Sequence, residues 1–215
     1  MFEARHDLAQ HPVMHEWAAH NRPLIVRMGT MHERAQGQAL AQHHWAQTVQ
    51  PLIPLSVGIA LPPAQGKARV ALTVLWDDVA QWLLPPLLTE TAHIAPEAWR
   101  ETLNSLQQAA TSYEVELRVF GSLAWESLTG LSYVTHTSDI DLLWLSPKRT
   151  RLDALLSTLA AIDATAPMAL DGEVVWPDGR AVNWREWHSG ADEVIVKGPH
   201  GLSMANRDAL EQALM

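Results

Sequence analysis

A chain of 215 residues with 47% apolar and 18% charged side chains has the balance of a folded protein, with room for one large domain or two small ones. The absence of cysteine excludes disulfides, thiolate metal sites and thiol catalysis. A net charge of -9 argues against the broad basic surface of a nucleic-acid binder. No apolar run approaches the roughly eighteen residues of a membrane span, and residues 1–7 are polar with no signal core, so a cytoplasmic location is expected.

In chain order, residues 24–28 read as a strand and 36–50 as a helix carrying the adjacent His43 and His44. Residues 56–60 and 68–74 read as two further strands joined by a Pro-Pro-Ala-Gln-Gly-Lys turn. Prolines at 51, 54, 62, 63, 85, 86 and 96 punctuate this half. After Pro96 the pattern becomes regular, which sets a domain boundary near residue 95. Residues 98–112 carry Trp99, Leu103 and Leu106 at helical spacing. There follow a strand at 115–120, a helix at 122–128, a strand at 140–145 and a helix at 147–161. A hairpin at 168–176 and 181–184 turns on Pro177-Asp-Gly-Arg180. A strand at 193–197 and a helix at 205–214 complete the chain, giving an α/β protein with a mixed sheet. The ten tryptophans fall mainly in apolar runs and read as core or interface bulk.

The chemistry concentrates in Arg118-Val-Phe-Gly-Ser-Leu-Ala-Trp-Glu-Ser-Leu-Thr-Gly130 and Ser138-Asp-Ile-Asp-Leu-Leu-Trp144. A strand alternates its side chains, so Asp139 and Asp141 share a face with Ile140 on the other. An Asp-x-Asp triplet alone arises by composition roughly once in a chain of this length. Here Ile140, Leu142, Leu143 and Trp144 flank it, so the acids are expected to interrupt a buried run. Two such carboxylates require a cationic partner, for which a divalent metal is the usual solution. Upstream, Gly121-Ser122 joins strand to helix, where free N–H groups and the helix dipole suit a phosphate. Taken alone, Ser122 reads as an ordinary helix cap. With the aspartate pair, the turn points to phosphoryl or nucleotidyl transfer.

Gly-Ser, a helix and a hydrophobic-flanked Asp-x-Asp resemble the signature of the polymerase-β-type nucleotidyltransferase superfamily. Sixteen residues separate Ser122 from Asp139, a longer interval than is usual there. The intervening Leu123-Ala-Trp-Glu-Ser-Leu-Thr-Gly-Leu-Ser-Tyr133 resembles one branch, the phosphoribosyl-dephospho-CoA transferases, or holo-acyl-carrier-protein synthases, of malonate decarboxylase. Arg5-His-Asp-Leu8, Arg22-Pro-Leu-Ile-Val26, Asp171-Gly-Glu-Val-Val-Trp-Pro-Asp-Gly-Arg-Ala-Val182, Trp184-Arg-Glu-Trp187 and Val194-Ile-Val-Lys197 match it too. The likeness is specific from Arg118 to Trp187 and loose from Gly29 to Gly66.

That resemblance implies a nucleotidyltransferase domain at 96–215 behind a smaller α+β accessory domain at 1–95. It implies transfer of phosphoribosyl-dephospho-CoA from 2'-(5''-triphosphoribosyl)-3'-dephospho-CoA to a serine of the decarboxylase's acyl-carrier subunit, releasing pyrophosphate. Asp139 and Asp141 would hold Mg²⁺, and Gly121 with Ser122 the triphosphate. The superfamily's third carboxylate would come from Asp171 or Glu173, which lie two apart and so face one way along a strand. Lys197, before Gly198, is the leading cation for the phosphates, and Lys67 in the Gly66 turn a weaker one. Lys148, Arg149 and Arg151 read as a solvated helix start or a carrier-docking patch, and Arg180 and Arg185 similarly. The eleven histidines show no metal-ligand spacing, His136 near the aspartates included. Two rivals are a nucleotidyltransferase using an ordinary nucleoside triphosphate and a binding or antitoxin-like protein that keeps the fold without catalysis. A binding module has no need of an intact metal pair.

Overall fold

The computed structural model describes residues 12–26, 54–145, 149–198 and 201–213. The helix expected at 36–50 with His43 and His44, the end of the strand at 24–28, and Lys148 lie outside the described residues. The chain divides into two compact units, Met1–Leu83 and Leu84–Met215.

In the first unit, α1 (Pro12–Ala19) precedes β1 (Ile25–Val26), and β2 (Pro54–Ala60) pairs antiparallel with both β1 and β3 (Arg69–Leu75). The β2–β3 register runs unbroken from Pro54↔Leu75 to Ala60↔Arg69. The turn between them closes as expected, with Gly66 left-handed at φ 85° and the Leu61 N–H donating to the Ala68 carbonyl at 2.8 Å. Val57, Ile59 and Leu72 are buried. Helix α1, which the sequence reading missed, buries Trp17, whose Nε1 donates to the Pro23 carbonyl at 2.9 Å.

The second unit is a six-stranded mixed sheet in the order β4-β5-β6-β7-β8-β9. Its strands are β4 (Glu116–Phe120), β5 (Ile140–Leu145), β6 (Leu170–Val175), β7 (Ala181–Asn183), β8 (Glu193–Gly198) and β9 (Gly201–Asn206). Its helices are α2 (Leu88–Thr91), α3 (Arg100–Tyr113), α4 (Gly121–Thr129), α5 (Arg149–Asp163), α6 (Trp184–His188) and α7 (Arg207–Ala213). Among the described strands of this sheet only β5 and β6 run parallel, and α5 provides the crossover a parallel pair requires.

One core fills this unit. Leu117 and Val119 of β4, Ile140, Leu142 and Trp144 of β5, Leu170 and Val174 of β6, and Val194 and Val196 of β8 alternate into it. Leu103, Leu106 and Ala110 of α3 and Leu152, Leu155, Leu156 and Leu159 of α5, at spacings of three and four, supply the facing stripe. Each fully buried side chain of this size stabilises the fold by about 1.5–3 kcal/mol. Trp99, Trp144, Trp176, Trp184 and Trp187 are among the core residues, as the composition suggested.

The helix expected at 205–214 begins two residues later, because β9 occupies Gly201–Asn206. Gly201, left-handed at φ 116°, pairs with Gly198, Ala205 pairs with Val194, and Asn206 Oδ1 accepts the Ala209 N–H at 3.0 Å as a cap for α7.

The entry of β6 is pinned by Asp163 at the end of α5. Its carboxylate takes a fork from Arg185 (Nη2 to Oδ1 2.7 Å, Nη1 to Oδ2 2.6 Å) and accepts the Leu170 N–H at 3.0 Å. The Arg185 hydrogen bond is the largest of the effects that hold the Asp163 carboxyl below its ordinary range, with the Leu170 N–H adding to it against the cost of burial. A lowered folded-state value contributes stability that is full above the unfolded carboxyl's value, about 3.9. That contribution is lost as pH falls through the folded value. The gap in melting temperature between the wild type and Asp163→Asn is therefore expected to be full at neutral pH and to close below about pH 4. A gap independent of pH, measured by calorimetry, would show that the ion pair is not its source.

Candidate active site

The β4–α4 turn, the start of β5 and the start of β6 bring the candidate residues together. Two registers do this: β4 and β5 pair Phe120 with Asp141, while the parallel β5–β6 pairing sets Asp141 beside Asp171. Because strand side chains alternate, Ile140 and Leu142 enter the core and Asp141 projects from the opposite face. The expectation of acids inside a buried run is corrected here. Asp139 precedes the strand and is exposed, and Asp141 is half-buried. The apolar flank buries only one face.

Asp139, Asp141 and Asp171 each offer a carboxylate oxygen, all within 4.8 Å of one another. Of the two acids expected for the third position, Asp171 joins the cluster: its Oδ1 accepts the Gly172 N–H at 2.7 Å and Asn183 Nδ2–H at 2.9 Å. Glu173 does not join the cluster. It sits two residues along β6, about 6.6 Å at strand rise, opposite Leu143, and its carboxylate pairs with the Lys197 ammonium. Lys197 is thus held by Glu173 rather than presented to the acids.

Gly121 opens α4 in the left-handed region at φ 63°. A Cβ added there would lie 1.7 Å from Asp141 Oδ2 and 2.5 Å from its Cγ, so the Asp141 carboxylate occupies the space a side chain would need. Residue 120 caps the helix with extended backbone and no side-chain bond, and Ser122 falls within the first turn rather than at the cap. The first-turn N–H groups of α4 therefore have no side-chain acceptor at the cap, an arrangement suited to an anion.

The long interval before the aspartates is the rest of α4 followed by a hydrogen-bonded loop. Glu126 Oε2 accepts the N–H groups of Tyr133 and Val134, each at 2.8 Å, and the Tyr133 ring stacks on Trp125 at 6.0 Å. Ser138 Oγ accepts the Thr135 N–H at 2.9 Å, fixing the residue before Asp139. Sequence reasoning missed both Glu126 and Asn183. For Asn183 a signal existed, since Asn directly before Trp-Arg-Glu-Trp is a helix-cap pattern.

Three of the other cations have partners. Arg180 pairs with Asp178 at 2.6 Å, Arg185 with Asp163, and Arg151 donates to the Ser112 carbonyl at 2.9 Å. The Arg180 N–H, then its guanidinium, hold the Asp178 carboxyl below its ordinary range. Lys67 lies in the β2–β3 turn of the first unit, His136 is exposed, and the side chain of Arg149 lies outside the described ones.

Hard carboxylate oxygens are the donors Mg²⁺ prefers. Ligands about 2.0–2.1 Å from such an ion lie at most about 4.2 Å apart, so the cluster fits it after small side-chain rotations.

Residues 86–208 match the family described as phosphoribosyl-dephospho-CoA transferase MdcG C-terminal domain. A phosphoribosyl-dephospho-CoA transferase of Bradyrhizobium diazoefficiens is 42% identical over 207 residues, covering 96% of this chain and 84% of that protein. One from Xanthomonas campestris pv. campestris is 41% identical over 154 residues, 72% of each chain. Another from Xanthomonas euvesicatoria pv. vesicatoria is 33% identical over 199 residues, covering 93% of this chain and 85% of that protein. No solved structure matches. By these relatives the protein is an enzyme of the transferase class. The chain belongs to the phosphoribosyl-dephospho-CoA transferase family.

Proposed function

We propose that this enzyme transfers phosphoribosyl-dephospho-CoA from 2'-(5''-triphosphoribosyl)-3'-dephospho-CoA to a serine of the acyl-carrier subunit of malonate decarboxylase, with release of pyrophosphate. The observation that carries the reading is the cluster of Asp139, Asp141 and Asp171 packed against the bare Gly121 turn at the start of α4, in a chain of this family. In this reading the unit Leu84–Met215 is the nucleotidyltransferase domain and Met1–Leu83 an accessory domain. The site of action is the cytoplasm; no described helix is long and apolar enough to cross a membrane.

Asp139, Asp141 and Asp171 would hold Mg²⁺, which when bound supplies positive charge to the phosphate oxygens. The N–H groups of the first α4 turn, with the Ser122 hydroxyl, bind and orient the triphosphate. A carboxylate of the cluster accepts the proton of the carrier serine as its oxygen bonds to the α-phosphorus and the bond to pyrophosphate breaks. Because the attacking hydroxyl belongs to the carrier, this chain needs no nucleophile of its own. Lys197, held by Glu173, would reach the triphosphate only by exchanging partners.

The test is to incubate the chain with Mg²⁺, the triphosphoribosyl donor and apo carrier, then weigh the carrier. The expected gain equals phosphoribosyl-dephospho-CoA. A gain of a nucleotide from ATP instead would favour an ordinary nucleotidyltransferase, and no gain with any donor a non-catalytic binding protein.

A further inference from the structure

We infer that Asn183 is a positioning residue for the third carboxylate, setting the orientation of Asp171 toward the metal; the inference rests on the metal-site reading above. Asn183 ends β7 and sits opposite Glu173 in the sheet register, two residues along the neighbouring strand from Asp171. Its Oδ1 accepts the Arg185 N–H at 2.9 Å as the cap of α6. A backbone N–H can only donate, so the amide oxygen must face Arg185 and Nδ2 must face β6. There it donates to Asp171 Oδ1 at 2.9 Å, the oxygen that also takes the Gly172 N–H at 2.7 Å.

Two donors on one oxygen fix the rotation of the Asp171 carboxylate. Among the described residues both of its donors go to Oδ1, leaving Oδ2 without a protein donor. Asparagine suits both duties because its planar amide carries an acceptor and a donor at one reach. Aspartate would cap α6 as well but would set a like charge on Asp171. Serine would cap α6 but has no second arm to reach Asp171. Orientation of a ligand by a neighbour of this kind is worth about 10–100-fold in metal affinity.

Asn183→Ser separates the two duties. Mn²⁺ binding to the full chain, followed by loss of the free-ion paramagnetic resonance signal, is expected to weaken by about 10-fold, with a melting temperature close to that of the wild type. The Mg²⁺ concentration that half-activates transfer should rise in parallel, while kcat at saturating Mg²⁺ recovers. In an Asp171→Asn background the same substitution should cost no further Mn²⁺ affinity, since its route of action is gone. Unchanged Mn²⁺ affinity in Asn183→Ser would reduce Asn183 to a helix cap, a further loss in the double variant would show that it acts by another route than Asp171, and unfolding of Asn183→Ser would make it a residue of the fold; each would overturn the inference. Failure of the wild type to bind Mn²⁺ would instead overturn the metal reading, and the inference with it.

Discussion

Asp139→Asn and Asp141→Asn are each expected to lower transfer to the carrier by about a thousandfold or more, equivalent to about 4 kcal/mol of transition-state stabilisation. The substitution keeps volume and shape while removing one negative charge and one anionic ligand. Neither residue belongs to the core: Asp139 is exposed, and Asp141 faces away from the side on which Ile140 and Leu142 are buried. Folding should therefore be spared. Without bound metal, three carboxylates with oxygens within 4.8 Å repel one another, so the melting temperature should hold or rise slightly when one charge is removed. Loss of activity together with retained or improved stability marks a residue kept for chemistry. Turnover near that of the wild type in either variant, measured by carrier mass, would remove the acids from the mechanism.

Gly121→Ala carries the second large effect, and Gly130→Ala is its control. Both glycines are left-handed, at φ 63° and 69°, so alanine at either costs about 1–2 kcal/mol of backbone strain. At Gly130, which ends α4, the added Cβ meets open space. At Gly121 it would fall 1.7 Å from Asp141 Oδ2. Asp141 has little freedom to retreat, because Ile140 and Leu142 on either side are fully buried and the strand is paired on both edges. The expected result is a stability loss of about 1 kcal/mol for Gly130→Ala with kcat retained. Gly121→Ala should lose more stability and about a hundredfold or more in transfer rate. Equal activity in the two variants would mean that strain alone matters at these turns and that Gly121 does not shape the site.

Much of this arrangement is legible in the residues themselves. Alternation in Ile140–Leu145 puts Asp141 on one side and Ile140, Leu142 and Trp144 on the other, whatever the strand packs against. The Gly-Ser turn is read from local chemistry, since a left-handed bend between strand and helix calls for glycine. The hairpin over Pro177–Arg180 is equally local, and its Trp176 N–H donates to the Arg180 carbonyl at 2.9 Å. Strand β9 was less visible, because Gly201 and Asn206 mark its limits only once pairing with β8 is known.

What the chain determined by itself was the chemistry on offer: an Asp-x-Asp face, a glycine turn into a helix, and an acid pair at Asp171 and Glu173. Which of those two acids joins the site was decided by tertiary structure. Both lie on the same face of β6 by the twofold period of a strand, so nothing local separates them. The parallel register sets Asp171 beside Asp141, while the sheet order brings Lys197 to Glu173 and takes both out of the cluster. Asn183 belongs to the same category, a cap by sequence and a partner of Asp171 only by register. Side-chain direction follows from steric rules between neighbours along the chain, whereas the choice of partner across strands depends on the packing of the whole sheet.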